Sequence, residues 1–114
     1  MSNATSSSGP RLDELVFVAF NSRAAALDRE TGRIIWDWQS PKGRGFVALL
    51  LDGDHLMASV DGYTYCLDAT TGRQRWTNHM AGFGTGVPTL ASVRGTSLGS
   101  AILEESSREV RRRD

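Results

Sequence analysis

Short apolar runs recur at close intervals along the chain, each bounded by residues that turn a backbone. The runs LVFVAF (15–20), AAAL (24–27), IIWDW (34–38), FVALLL (46–51), LMASV (56–60), YTYCL (63–67) and VPTLASV (87–93) are four to seven residues long. Asn21-Ser22, Thr31-Gly32, Asp52-Gly53, Asp61-Gly62 and Thr71-Gly72 lie between them. Runs of this length flanked by Gly, Asn and Asp read as strands. Asp61-Gly62 is the strongest hairpin signal, because a type I′ turn needs positive φ at both central residues. No apolar stripe of helical period extends over ten residues before residue 98. The body of the chain is predicted to be all-β.

The pattern repeats. A shift of 40 residues aligns ALDRETGRIIW (26–36) with CLDATTGRQRW (66–76). Leu27/Leu67, Asp28/Asp68, Thr31/Thr71, Gly32/Gly72, Arg33/Arg73 and Trp36/Trp76 are identical pairs. A period of this size marks units that stack to share a core. Each Asp closes a strand, and its carboxylate is placed to accept backbone N–H groups two or three residues on. Each Gly supplies the left-handed residue that sends the chain back, and each Thr can add a hydroxyl bond inside the turn. Trp36 and Trp76 follow four residues after the Gly. A large ring at a fixed place suits packing between units, and it also suits an aromatic platform for a ligand.

These residues resemble the tryptophan-docking motif of the PQQ-like (quinoprotein-type) β-propeller repeat, Ala-x-Asp-x-x-Thr-Gly-x-x-x-Trp. Ala26, Asp28, Thr31, Gly32 and Trp36 match it throughout. In the second copy Asp68, Thr71, Gly72 and Trp76 match, and Cys66 stands where the motif has Ala. The resemblance runs from about Leu15 to Val93. It implies four-stranded antiparallel blades in which the Trp of one blade packs on the Gly turn of its neighbour. The expected architecture is therefore about two such blades, with a short helix or tail at the C-terminus. A flexible leader is expected over 1–12, repeats over 13–95 (15–51 and 52–93), and a polar, Arg-rich tail over 96–114. Within the tail, Glu104 and Arg108, and Glu109 and Arg113, have the i,i+4 spacing of a short exposed helix.

Strands 15–20, 23–28 and 34–38 correspond to the second, third and fourth strands of one blade. Strands 46–51, 56–60, 63–68 and 74–78 make a complete blade, and 87–93 is expected to be the first strand of another. Two repeats do not close a ring, which takes roughly 4–8 blades. The open ends are satisfied either within a longer propeller or by head-to-tail copies, three or four of which would close as a trimer or tetramer.

Composition narrows the chemistry. Thirteen Lys and Arg balance thirteen Asp and Glu, so the excess of cationic charge on which nucleic-acid binding rests is missing. No apolar run approaches the ~18–20 residues of a membrane-spanning helix, and no Lys/Arg-led apolar segment marks a secretory signal near residue 1. The resemblance alone implies a periplasmic or extracellular setting. Quinoprotein dehydrogenases of that fold use pyrroloquinoline quinone, a calcium or lanthanide ion, an Asp base and often a disulfide between neighbouring cysteines. One cysteine, Cys66, rules that disulfide out, and no acidic set matches the metal site.

Other candidates are weak. Gly82-Phe83-Gly84-Thr85-Gly86 lacks the following Lys and helix of a phosphate loop. Asp52-Gly53-Asp54 lacks the later ligands of a calcium loop. His55 and His79 have no partner at metal-binding spacing. No catalytic residue, cofactor or metal is therefore expected. The expected function is a non-catalytic interaction, scaffold or sensor module with a protein partner or with itself, the alternative being a fragment of a quinoprotein dehydrogenase.

Overall fold

The computed structural model describes residues 9–95. The expected C-terminal helix or tail over 96–114 and most of the expected leader lie outside the described residues. Near the start, one 3-10 turn (Leu12–Glu14) leads into the first strand. It is closed by the Glu14 N–H donating to the Arg11 carbonyl at 2.9 Å and by the Arg11 N–H donating to Glu14 Oε1 at 2.9 Å.

Seven strands follow: β1 (Leu15–Phe20), β2 (Arg23–Asp28), β3 (Ile34–Gln39), β4 (Val47–Asp52), β5 (His55–Val60), β6 (Tyr63–Asp68) and β7 (Gln74–Asn78). They form two antiparallel meanders, a three-stranded sheet β1-β2-β3 and a four-stranded sheet β4-β5-β6-β7. The sequence places these strands to within a residue at either end. Tight turns at Asn21-Ser22 and Asp61-Gly62 join the central pairs, with φ of 52° and 69° in the first and 51° and 87° in the second. These are the positive values that let a two-residue hairpin follow the strand twist.

The expected strand over 87–93 does not form. Those residues take no part in a sheet, and Val87 and Val93 are exposed. A strand needs a neighbour to take its N–H and C=O groups, and no described strand pairs with this segment. Among the described residues no helix is long and apolar enough to cross a membrane.

The core is the layer between the two sheets. Alternation along β1 sends Leu15, Phe17 and Ala19 towards the second sheet and leaves Val16, Val18 and Phe20 on the open face. Ala26 and Ala24, opposite Phe17 and Ala19, line the inner face together with Trp36 and Trp38. The second sheet answers with Leu56, Ala58, Val60, Tyr65 and Leu67. Small alanines under two large indoles let the layers interdigitate at ordinary core density.

The linker 40–46 is fastened at both ends. The Ser40 N–H donates to the Ser22 carbonyl at 2.9 Å, and the Gly45 N–H donates to Ser22 Oγ at 2.8 Å. From the other sheet, the Tyr65 hydroxyl donates to the Lys42 carbonyl at 2.8 Å and accepts the Lys42 N–H at 3.1 Å. Tyr65→Phe removes the partner of the Lys42 N–H and one of the two donors to the Lys42 carbonyl, which keeps the Ser40 hydroxyl. It is expected to lower unfolding free energy by about 1–2 kcal/mol, read from denaturant melts, with an unchanged circular-dichroism spectrum.

Candidate functional site

The ten motif residues fall at two corresponding places. In each repeat the turn after the third strand of the blade is built in the same way. Asp28 Oδ1 accepts the N–H groups of Glu30 (2.8 Å) and Thr31 (3.1 Å), while Asp68 Oδ1 accepts those of Thr70 (2.9 Å) and Thr71 (3.3 Å). The Gly32 and Gly72 N–H groups each donate to the carbonyl of their turn's Asp at 2.7 Å. The Arg33 and Arg73 N–H groups each donate to the preceding Thr hydroxyl at 3.2 Å. Both glycines have φ of 79°, in the left-handed region that disfavours any Cβ. The two turns are conformational copies.

The carboxylates are tuned by these bonds. The N–H groups of Glu30 and Thr31 hold the Asp28 carboxyl below its ordinary range. Burial pushes Asp68 up, but the hydroxyl and N–H of Thr70, the N–H of Thr71 and the Arg75 guanidinium outweigh it and leave it lowered.

The returning strand carries a bulge in both repeats. Ala26 faces Trp36 but Leu27 faces Ile34, and Cys66 faces Trp76 but Leu67 faces Gln74. One extra residue, Ile35 or Arg75, is inserted each time, which re-aims the side chains that follow.

From here the copies part. Trp36 is buried and crosses to the second sheet, where its Nε1 donates to the Ala69 carbonyl at 2.9 Å. Its ring lies flat on Gly72, where an added methyl carbon would be 2.5 Å from Cδ2 and Cε3. Trp38, two residues on, stacks edge-on against Tyr65 at 5.0 Å between centroids and donates from Nε1 to Gln74 Oε1 at 3.2 Å. By contrast Trp76 is 46% exposed, and a methyl group on Gly32 would meet nothing within 4 Å. One indole and one turn are thus joined, and the other indole and the other turn stand open at opposite ends. Ala69, Trp38, Tyr65 and Gln74 escaped the sequence reading. Ala69 acts through its backbone, which carries no side-chain signature, whereas Trp38 two residues after Trp36 on one strand face was a legible sign.

The one thiol of the motif is shielded. Cys66 is fully buried, and burial raises its thiol pKa, which keeps it protonated and weakly nucleophilic. Pyrroloquinoline quinone and its metal ion do not fit the residues present. Among the described residues no three His, Cys, Asp or Glu side chains converge. The buried Asp52 Oδ1, which lacks a hydrogen bond, instead faces the Arg94 guanidinium at 3.7 Å, so its charge is already met. The lone thiol offers no cystine to lie against a quinone.

Two stacked antiparallel meanders joined by an indole on a glycine turn define a protein built of propeller-blade repeats. The chain belongs to the PQQ-like repeat family whose model, described as outer membrane protein assembly factor BamB, matches residues 15–100. No curated protein and no solved structure matches it.

Two measurements read this site. Gly32→Ala meets only the backbone strain of a positive φ, about 1–2 kcal/mol. Gly72→Ala meets that strain and also drives a methyl group into Trp36, for a total of about 2–5 kcal/mol. The two variants, alike in sequence context, are expected to separate clearly in thermal melts. The second concerns pH. Because the folded Asp68 carboxyl titrates below its unfolded value, its stabilisation is complete above about pH 4 and is lost as pH falls through the folded pKa. The stability gap between wild type and Asp68→Ala is therefore expected to shrink on acidification, measured by urea melts across that range.

Proposed function

We propose that this chain is a non-catalytic scaffold module that works by docking protein through its blade ends. The observation that carries this reading is the apolar character of those ends. Val16, Val18, Phe20 and Ile34 are exposed on the open face of the first blade, and Trp76 is exposed on the last strand of the second. Apolar side chains grouped on an unpaired sheet face mark a surface that associates. The open β1 edge adds a row of N–H and C=O groups that another strand can pair. The family's description names an assembly factor, which agrees with a role in holding other proteins rather than converting a substrate. The docking motif Ala26, Asp28, Thr31, Gly32, Trp36 and its second copy Cys66, Asp68, Thr71, Gly72, Trp76 supply the joints between blades, not a ligand platform. This assignment is supported by the Trp36 ring lying on Gly72 and by its bond to Ala69.

The test sets this role against quinone-dependent oxidation. The protein is mixed with pyrroloquinoline quinone and calcium, and then assayed for retained quinone absorbance after desalting and for reduction of an electron-accepting dye with simple alcohols. Neither retention nor dye reduction is expected. Stoichiometric quinone retention with alcohol-dependent dye reduction overturns the reading.

A further inference from the structure

The two open ends of the described stack match the two sides of the boundary inside it. The open face of the first blade corresponds, residue for residue at the 40-residue shift, to the face of the second blade that the first blade covers. Val16 stands for Leu56, Val18 for Ala58, Phe20 for Val60 and Leu27 for Leu67. The four residues of the second blade are buried and the first three of the first blade are exposed. Beside this face lies the vacant turn 28–32, with the same hydrogen bonds and the same glycine φ as the turn that receives Trp36. At the far end, Trp76 sits on a bulged strand like that of Trp36 and has no turn to enter.

The unpaired segment 87–93 completes the match. It corresponds at the same shift to β4, which follows Trp36 and pairs with β5. Val87 to Ala91 already line a shallow depression with Ser59 and Thr64 of the second blade, on the side away from the first. What the segment lacks is a partner strand, and β1 has an unpaired edge.

We propose that copies of this chain associate head to tail, with segment 87–92 of one copy pairing antiparallel to β1 of the next. In the same contact Trp76 rests on Gly32, and its indole N–H donates to the Arg29 carbonyl. The β4–β5 register, Val47 opposite Val60 and Leu51 opposite Leu56, carries over as Val87 opposite Phe20 and Ala91 opposite Val16. Pro88 has no N–H to give Ala19, which removes one ladder bond, so pairing rests on Thr89 to Ser92. A second difference also weakens the joint. Asn78 stands where the internal interface has Trp38, and Ala25 stands where it has Tyr65. The contact between copies thus keeps the Trp–Gly anchor and loses the aromatic pair. Being heterologous, it closes into a ring when the rotation per copy allows; three or four copies supply six or eight blades, within the usual ~4–8. This inference rests on the docking role proposed above and names its occupant as a second copy.

Light scattering on the full chain at tens of micromolar is expected to give three or four times 12.4 kDa. Trp76→Ala is expected to give the monomer with its circular dichroism retained. Cross-linking tests the register and does not depend on that variant. In a Cys66→Ala background, which places alanine where the first repeat has Ala26, the variants Val16→Cys and Ala91→Cys are mixed under mild oxidation. A disulfide-linked dimer is expected from the mixture and from neither variant alone. The slipped pair Val16→Cys with Ser92→Cys is expected to link several-fold less. A monomeric wild type, or equal linking by the slipped pair, overturns the proposal and leaves the scaffold role standing. That role fails separately, on quinone retention with dye reduction.

Discussion

The structure depends on one contact, the Trp36 indole lying on Gly72 with its N–H on the Ala69 carbonyl. Each sheet has an apolar face that must be buried against another element. The indole spans the gap, fills it, and satisfies its own donor on the far side, so burial carries no unpaired polar group. The site works only because glycine leaves the ring room and because the bulge before Trp36 turns its side chain towards the neighbouring sheet. Three local features, a left-handed glycine, an Asp-closed turn and one extra residue, therefore serve a single long-range joint.

Repetition makes this joint modular, and divergence makes the two copies unequal. In stacked repeats each unit's stability is its own plus what its neighbour supplies. The internal boundary is reinforced beyond the shared motif. Trp38 packs on Tyr65 and bonds Gln74, Tyr65 fastens the linker at Lys42, and Ala69 lets the chains approach where the first repeat has Arg29. At the outer ends the corresponding residues are Asn78, Ala25 and Arg29. The backbone of the turns is copied faithfully, and the side chains that reinforce the middle boundary are not.

Much of this was legible in the residues. The hairpin at Asp61-Gly62, the Asp28 and Asp68 turns and the seven strands follow from local rules in which side chain and backbone sit within a few positions of each other. The bulges at Ile35 and Arg75 were not legible, because an inserted residue shows only when its opposite strand is known. The segment 87–93 has the composition of a strand, yet composition gives propensity and not a partner. Ala69 takes part through its carbonyl, to which the sequence gives no clue.

By itself, then, the sequence determined the repeating unit: the period of 40, the turn chemistry and the strand ladder. Those are properties of short windows and of residue identity. Only the tertiary structure decided which of the two motif copies is joined. Trp36 and Trp76 stand at the same place after a Thr-Gly-Arg turn, and the difference between burial and exposure comes from what lies across space. One indole meets the following repeat's glycine turn, and the other reaches the end of the described stack.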